Sequence, residues 1–293
     1  MQAITRHIGA PLKLEGIWPA VGIVEMVDEN MANAARVHAI ERGKQPSEYT
    51  MVAFGGGAPL HAARVADKLG IDKVIIPVSA GVGSAIGFLR APLSHEVVRS
   101  WRSLLSANRL EKMNRLIAAM REEAVDTVRA GAGTDDLIVT SHVEMRYCGQ
   151  GHELPVALPD QPLTVEDLAQ INTRFEAQYK RIFGLTMPEL HSECISWSVS
   201  AATEPAPGTP LPPLQTCRKV TPDQYRNVYD PIAGKSIPHG LFARTSLDAG
   251  DNLDGPAVVT ESETSTIVPT GFALLVDRGG AMIINRRTEK GQS

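Results

Sequence analysis

Apolar positions recur along this chain at two different periods, and the switches between them outline its elements. From Pro19 to about Arg42, Val24, Val27, Met31, Ala34 and Ala35 return at helical spacing until Gly43 stops the run. Met51-Val52-Ala53-Phe54 is a continuous apolar run, followed by a glycine turn at 55–57. An Ala-rich amphipathic helix then opens on Pro59 and closes at Gly70. Lys73-Val74-Ile75-Ile76-Pro77 reads as a second strand, leading into the small-residue helix Ala80-Gly81-Val82-Gly83-Ser84-Ala85-Ile86-Gly87. This alternation of helices and strands predicts an α/β domain over residues 1–92.

A second α/β domain is expected over 93–203. His95–Ser103 reads as a strand, and Leu110, Met113, Ile117, Met120, Ala124 and Val128 mark one face of a long helix stopped by Gly131 and Gly133. Residues 137–147 alternate as a strand, and Gly149-Gln150-Gly151 turns into His152–Val156. Thr164-Val165-Glu166-Asp167 is a capping-box start for a helix that runs to Gly184, and Cys194–Val199 is a further strand. Residues 204–238 are rich in proline and poor in periodicity, which reads as an extended strap. Short strands at 239–244, 256–261, 265–268, 272–276 and 281–285 then fill a strand-rich segment, 239–293.

Composition narrows the function. The net charge is −4 with no long block of either sign, so neither nucleic acid nor an anionic membrane is an expected partner. No apolar run reaches the roughly 18 residues of a membrane span, and the N-terminus carries no signal-peptide pattern. Cys148, Cys194 and Cys217 are widely spaced and read as reduced thiols, so a cytoplasmic location is expected.

The glycine turn holds the most informative chemistry. Its flexible backbone lets a ligand approach main-chain N–H groups, and the following helix N-terminus suits the ribose or phosphates of a nucleotide. A tight ligand-free turn explains the same residues, and the loop by itself does not separate the two. Asp277-Arg278-Gly279-Gly280 has the outline of a phosphate hairpin but continues with Ala281 instead of Ser or Thr, so a plain turn is the expectation. Gly81-Val82-Gly83-Ser84 lacks the spacing and lysine of a phosphate-binding loop. The eight histidines fall singly. His61 is expected in a surface or packing role, and His142, Glu144, His152 and Glu153 as ordinary polar residues around a strand and turn. Glu261-Ser262-Glu263 reads as a solvated turn.

In order, Val52-Ala53-Phe54-Gly55-Gly56, Pro59-Leu60-His61-Ala62, Ala80–Gly87, Met145-Arg146-Tyr147 with Gly149-Gln150 and Glu153-Leu154, Gly255–Val259 and Thr264–Pro269 resemble the large subunit of the hydantoinase/oxoprolinase family. That family also supplies the ATP-binding subunits of acetone and acetophenone carboxylases. The resemblance implies the C-terminal part of an actin-like ATPase lobe over 1–92, followed by the family's C-terminal α/β domain, the longer N-terminal part with its phosphate loops being absent. It places Gly55, Gly56, Gly57 and Ala58 beside the adenosine of ATP. Phosphates and a divalent cation (Mg or Mn) would sit on other subunits of the complex, and no metal ligand is expected in this chain. Where the family reads Gly-Gly-Ala-Gly-Pro, Gly57 and Ala58 stand in swapped order, and a positive φ before Pro59 would cost Ala58 about 1–2 kcal/mol. The implied function is a subunit of an ATP-dependent ketone carboxylase, inactive in isolation. A split ATP-dependent amidohydrolase acting on a cyclic amide, or a non-catalytic assembly subunit, are the alternatives.

Overall fold

The computed structural model describes residues 2–205, 208, 210, 211, 213 and 217–287. In chain order these form α1 (Gln2–Ile4), α2 (Ala10–Leu12), α3 (Trp18–Glu41), β1 (Met51–Val52), α4 (Ala58–Leu69), β2 (Lys73–Ile76) and α5 (Gly83–Arg90). There follow β3 (Ser94–Leu104), α6 (Leu110–Ala132), β4 (Leu137–Tyr147), β5 (Leu154–Ala157), α7 (Val165–Phe183) and β6 (Ser192–Thr203). Next come β7 (Arg218–Lys219), β8 (Gln224–Asp230), β9 (Lys235–Ala243), β10 (Asp251–Asp254), β11 (Ala257–Thr260), β12 (Ser265–Val268), β13 (Phe272–Val276) and β14 (Met282–Arg286). The chain is thus mixed α/β with a strand-rich end, and it divides into two compact units, Met1–Leu89 with Thr209–Ser293, and Arg90–Gly208.

In the first unit one sheet runs β1-β2-β14-β13-β10-β7, and a second runs β12-β11-β9-β8. β1 and β2 are parallel, and β14 lies antiparallel to β2 with Ile76 opposite Met282. The strand-rich end is therefore not a separate segment. It completes the sheet begun by β1 and β2, because Val74 and Ile76 share a core with Phe272, Leu274 and Ile284. The expected strap likewise contains β7 and β8, and β8 pairs with β9 through Val228 and Ile237. Prolines there bracket the strand at Pro222 and Pro231 without interrupting it.

The helix of residues 19–42 forms, but its apolar face does not turn inward. Val24, Val27 and Met31 are exposed, whereas Asp28 and Ala32 are buried. α3 meets α4 through polar pairs instead: Glu25 with Arg64, Glu29 with Lys68, and Asp28 with His61. Such a helix keeps its apolar stripe available to another surface.

The second unit is a single antiparallel sheet, β3-β6-β4-β5, with α6 and α7 packed on it. Its core holds Trp197, Tyr147 and Phe175, with Met113 and Met120 from α6. Thr164 and Asp167 form the predicted capping box, and Gly133 and Gly184 close α6 and α7 in the left-handed conformation. Glu193 is buried on β6 between Arg102 and Arg146. Burial opposes its ionisation, but the two guanidinium groups prevail and hold its carboxyl below the usual range. Burial pushes the Cys194 thiol up to about 12, leaving it unreactive.

Candidate functional site

Gly55 takes φ 102°, and Gly57 caps α4 at φ −98°. Only the first needs glycine's freedom. Ala58 is the first residue of α4 and Pro59 the second, so the swapped Gly57–Ala58 order carries no conformational penalty. The Gly55 N–H donates to the Ala80 carbonyl at 2.6 Å, tying the turn after β1 to the turn after β2. The Thr264 hydroxyl donates to the Gly56 carbonyl at 2.8 Å, tying it to the turn between β11 and β12.

With the Gly56 and Gly57 carbonyls engaged, the turn offers its amides. The N–H groups of Gly56, Gly57 and Ala58 have no partner among the described residues. A Cβ built on Gly55 or Gly57 would meet nothing within 4 Å, so the space over the turn is open. Phe54, more than half exposed, flanks it with an aromatic face. At its base lies an apolar cavity of about 170 Å³ bounded by Met31, Val52, Phe54, Ala58 and His61. The turn thus sets unpaired donors beside an aromatic ring and a small apolar cavity.

His61, expected in a surface or packing role, is oriented by a partner 33 residues away. Its Nδ1 lies 2.7 Å from Asp28 Oδ1. Asp28 is buried, and burial pushes its carboxyl above the usual range while His61 pulls it back. The imidazole Nε2 has no partner among the described residues. No local sequence signal links Asp28 to His61, because the pair joins two helices through residues 33 positions apart.

The second small-residue loop packs against the same turn. A Cβ on Gly81 would lie 2.5 Å from Glu263 Cβ and 3.2 Å from its backbone. Gly81→Ala is therefore expected to lower stability by roughly 1–3 kcal/mol, readable as a lower urea midpoint. An unchanged midpoint would show that the Glu263 turn yields freely.

The other motifs settle as structural features. Asp277 Oδ1 accepts from the Gly279 and Ala281 amides inside the β13–β14 hairpin, which makes this a plain turn. Arg146 joins Glu153 to Glu193, and burial, reinforced by Glu153, pushes the Glu144 carboxyl up. His152 packs near the Phe183 ring. Among the described residues no three His, Cys, Asp or Glu side chains come together as a metal site, and no helix is long and apolar enough to cross a membrane.

Comparison with known proteins identifies the family. The hydantoinase/oxoprolinase profile matches residues 1–97, and the profile of its C-terminal domain matches residues 104–284. The chain is 28% identical to caprolactamase subunit alpha of Pseudomonas jessenii, over 94% of its own length and 41% of the relative's. It is 29% identical to the acetophenone carboxylase gamma subunit of Aromatoleum aromaticum, over 97% and 40%. The crystal structure of the ATP-dependent caprolactamase from Pseudomonas jessenii superposes with a TM-score of 0.74 at 25% identity, over 98% of this chain and 42% of that one. The chain thus spans about two fifths of the length of these relatives. With its C-terminal profile alone covering more than half of the residues, the chain belongs to the hydantoinase/oxoprolinase family.

Proposed function

We propose that this chain forms the adenosine side of a nucleotide site in an ATP-dependent enzyme acting on a carbonyl compound. Other subunits would hold the phosphates and a divalent cation. The observation that carries this reading is the row of unpaired amides at Gly56, Gly57 and Ala58, in a turn with open space where side chains on Gly55 and Gly57 would stand and with Phe54 exposed before it. The phosphates and their magnesium ion would be held by other groups of the enzyme, which we place on a partner polypeptide. The exposed stripe of α3, with Val24, Val27 and Met31, offers that polypeptide apolar surface to bury.

Two substrate classes follow from the two relatives. The acetophenone carboxylase gamma subunit supports a ketone carboxylase, in which ATP activates bicarbonate or the ketone's enolate before the carbon–carbon bond forms. The caprolactamase subunit supports ATP-dependent opening of a cyclic amide. Co-purification of partner subunits, followed by ATP turnover assays with ketone plus bicarbonate and with a cyclic amide, separates them. The purified single chain is expected to turn over no ATP, and robust turnover by it, with contaminating ATPases excluded, would refute the shared-site reading. If omitting this chain lowers assembly but not specific activity, it serves as an assembly subunit.

A further inference from the structure

A sheet edge pairs with whatever strand reaches it unless charge, proline or a covering element prevents this. In the sheet of the second unit, edge strand β3 carries Glu96, Arg99 and Arg102, and edge strand β5 carries Pro155. In the first unit, β12 lies against α4 and is followed by Pro269, and β8 carries Arg226 between Pro222 and Pro231. β7 is Arg218-Lys219, its side chains tied to Asp251 and Asp254. Edge strand β1 has no such protection. It reads Met51-Val52 and runs on through Ala53 to Phe54, uncharged throughout, with Val52 and Phe54 more than half exposed.

The backbone of this edge is turned outward. Ala53 donates its N–H to the Ile75 carbonyl at 2.9 Å, so Ala53 faces β2. Backbone direction alternates along a strand, so Val52 and Phe54 aim their N–H and carbonyl groups away from β2. The N–H and carbonyl of Phe54 have no partner among the described residues. Val52 and Phe54 also border the apolar cavity of about 170 Å³, together with Ala62 and Val65 of α4 and Met31 of α3. Met31 belongs to the outward apolar stripe of α3, so the free edge, the cavity and the stripe are continuous. Outward backbone groups beside an apolar cavity suit strand addition, in which the main chain supplies affinity and the cavity specificity.

We propose that β1 takes up an added strand from the partner polypeptide, with one large apolar side chain of that strand seated in the cavity. Chain length points to this occupant. The protein superposes on 42% of the caprolactamase chain, so more than half of that chain is polypeptide not present here. A second copy would offer only another β1, two residues long and already paired on one side with β2. A different polypeptide can bring a longer strand that also covers the α3 stripe. The proposal rests on the reading that another polypeptide completes the site, but uses none of the amides of Gly56, Gly57 and Ala58.

Hydrogen exchange resolved to single amides, on the full 293-residue chain alone and in its co-purified complex, tests it. In the isolated chain the Ala53 amide should be protected, while the Val52 and Phe54 amides exchange freely. In the complex the Val52 and Phe54 amides should slow about tenfold or more. Val52→Pro removes one outward N–H and leaves the Ala53–Ile75 bond in place. The isolated variant should therefore keep its urea midpoint while partner recovery falls about tenfold. Should it unfold, exchange in the wild-type complex decides alone. Unchanged exchange at Val52 and Phe54 in the complex, full partner recovery by folded Val52→Pro, or recovery of no partner at all overturns the proposal. Protection that appears in the isolated chain and rises with its concentration would assign the edge to a second copy, and overturns it too. A complex that binds ADP with these amides still open keeps the nucleotide reading and loses this one. Protected amides in a complex that ignores ADP do the reverse.

Discussion

Replacing Gly57 with phenylalanine is expected to weaken adenine-nucleotide binding by the assembled complex about a hundredfold, roughly 2.7 kcal/mol, while leaving the fold intact. Both halves follow from the same backbone. Gly57 sits at φ −98° and ψ −24°, where any L-residue is at ease, and its missing Cβ would point into open space. The cap makes no side-chain hydrogen bond that a substitution could remove, so stability should move by less than about 1 kcal/mol. A benzyl group there would occupy the volume over the Gly56, Gly57 and Ala58 amides and shut the nucleotide out. Gly57→Ala provides the graded control, since a methyl group leaves the amides reachable and should change affinity only a few-fold. Gly55→Ala acts differently. At φ 102° its cost falls on the fold, and the urea midpoint should drop before any binding is measured. Isothermal titration with ADP, paired with unfolding curves, separates the three variants. Unaltered ADP affinity in Gly57→Phe would remove the turn from the nucleotide site.

How far the sequence foretells this arrangement depends on the distance over which each contact acts. α4, α6 and α7 are legible because their apolar spacing and their closing glycines, Gly70, Gly133 and Gly184, are local signals. The glycine turn is legible for the same reason. β8 is not, because the surrounding prolines dominate the local composition and its strand identity comes from pairing with β9. β10, four residues with Asp at both ends, has no local strand signal and is held by β13 and β7. The pairing of β2 with β14 joins residues more than two hundred positions apart, which no period reveals. Likewise, the Thr264 hydroxyl that closes the Gly56 carbonyl, and the Asp28 carboxylate that aims His61, reach the site only through tertiary packing. The outward face of α3 misleads a reading by hydrophobicity, since that reading assumes every apolar stripe is buried within its own chain.

Asp230→Ala is expected to destabilise the first unit by on the order of 3 kcal/mol at neutral pH. Asp230 is fully buried, with Oδ1 accepting from the Ile232 and Ala233 amides at 2.9 Å each. Oδ2 accepts from the Thr270 amide at 2.9 Å and its hydroxyl at 2.8 Å, which pins the β8–β9 turn to the loop before β13. Truncation strands three backbone donors and a hydroxyl away from water. The neighbouring His239 cannot substitute, because its Nε2 lies 3.9 Å from Asp230 Oδ2 and its Nδ1 is 3.1 Å from the Ile237 carbonyl. Burial opposes ionisation of Asp230 most strongly, yet the amides of Ala233, Thr270 and Ile232 and the Thr270 hydroxyl outweigh it, leaving its carboxyl below the usual range. Between the folded and unfolded values the unfolded chain binds more protons, so this stabilisation is complete above about pH 4 and fades as pH falls through the folded value. The stability gap between wild type and Asp230→Ala should therefore be widest at pH 7 and narrow below pH 4. Urea unfolding at both pH values measures the gap, and hydrogen exchange at Ile232, Ala233 and Thr270 localises it. A gap that is the same at pH 3 and pH 7 would mean that Asp230 holds the turn by shape alone, without its charge.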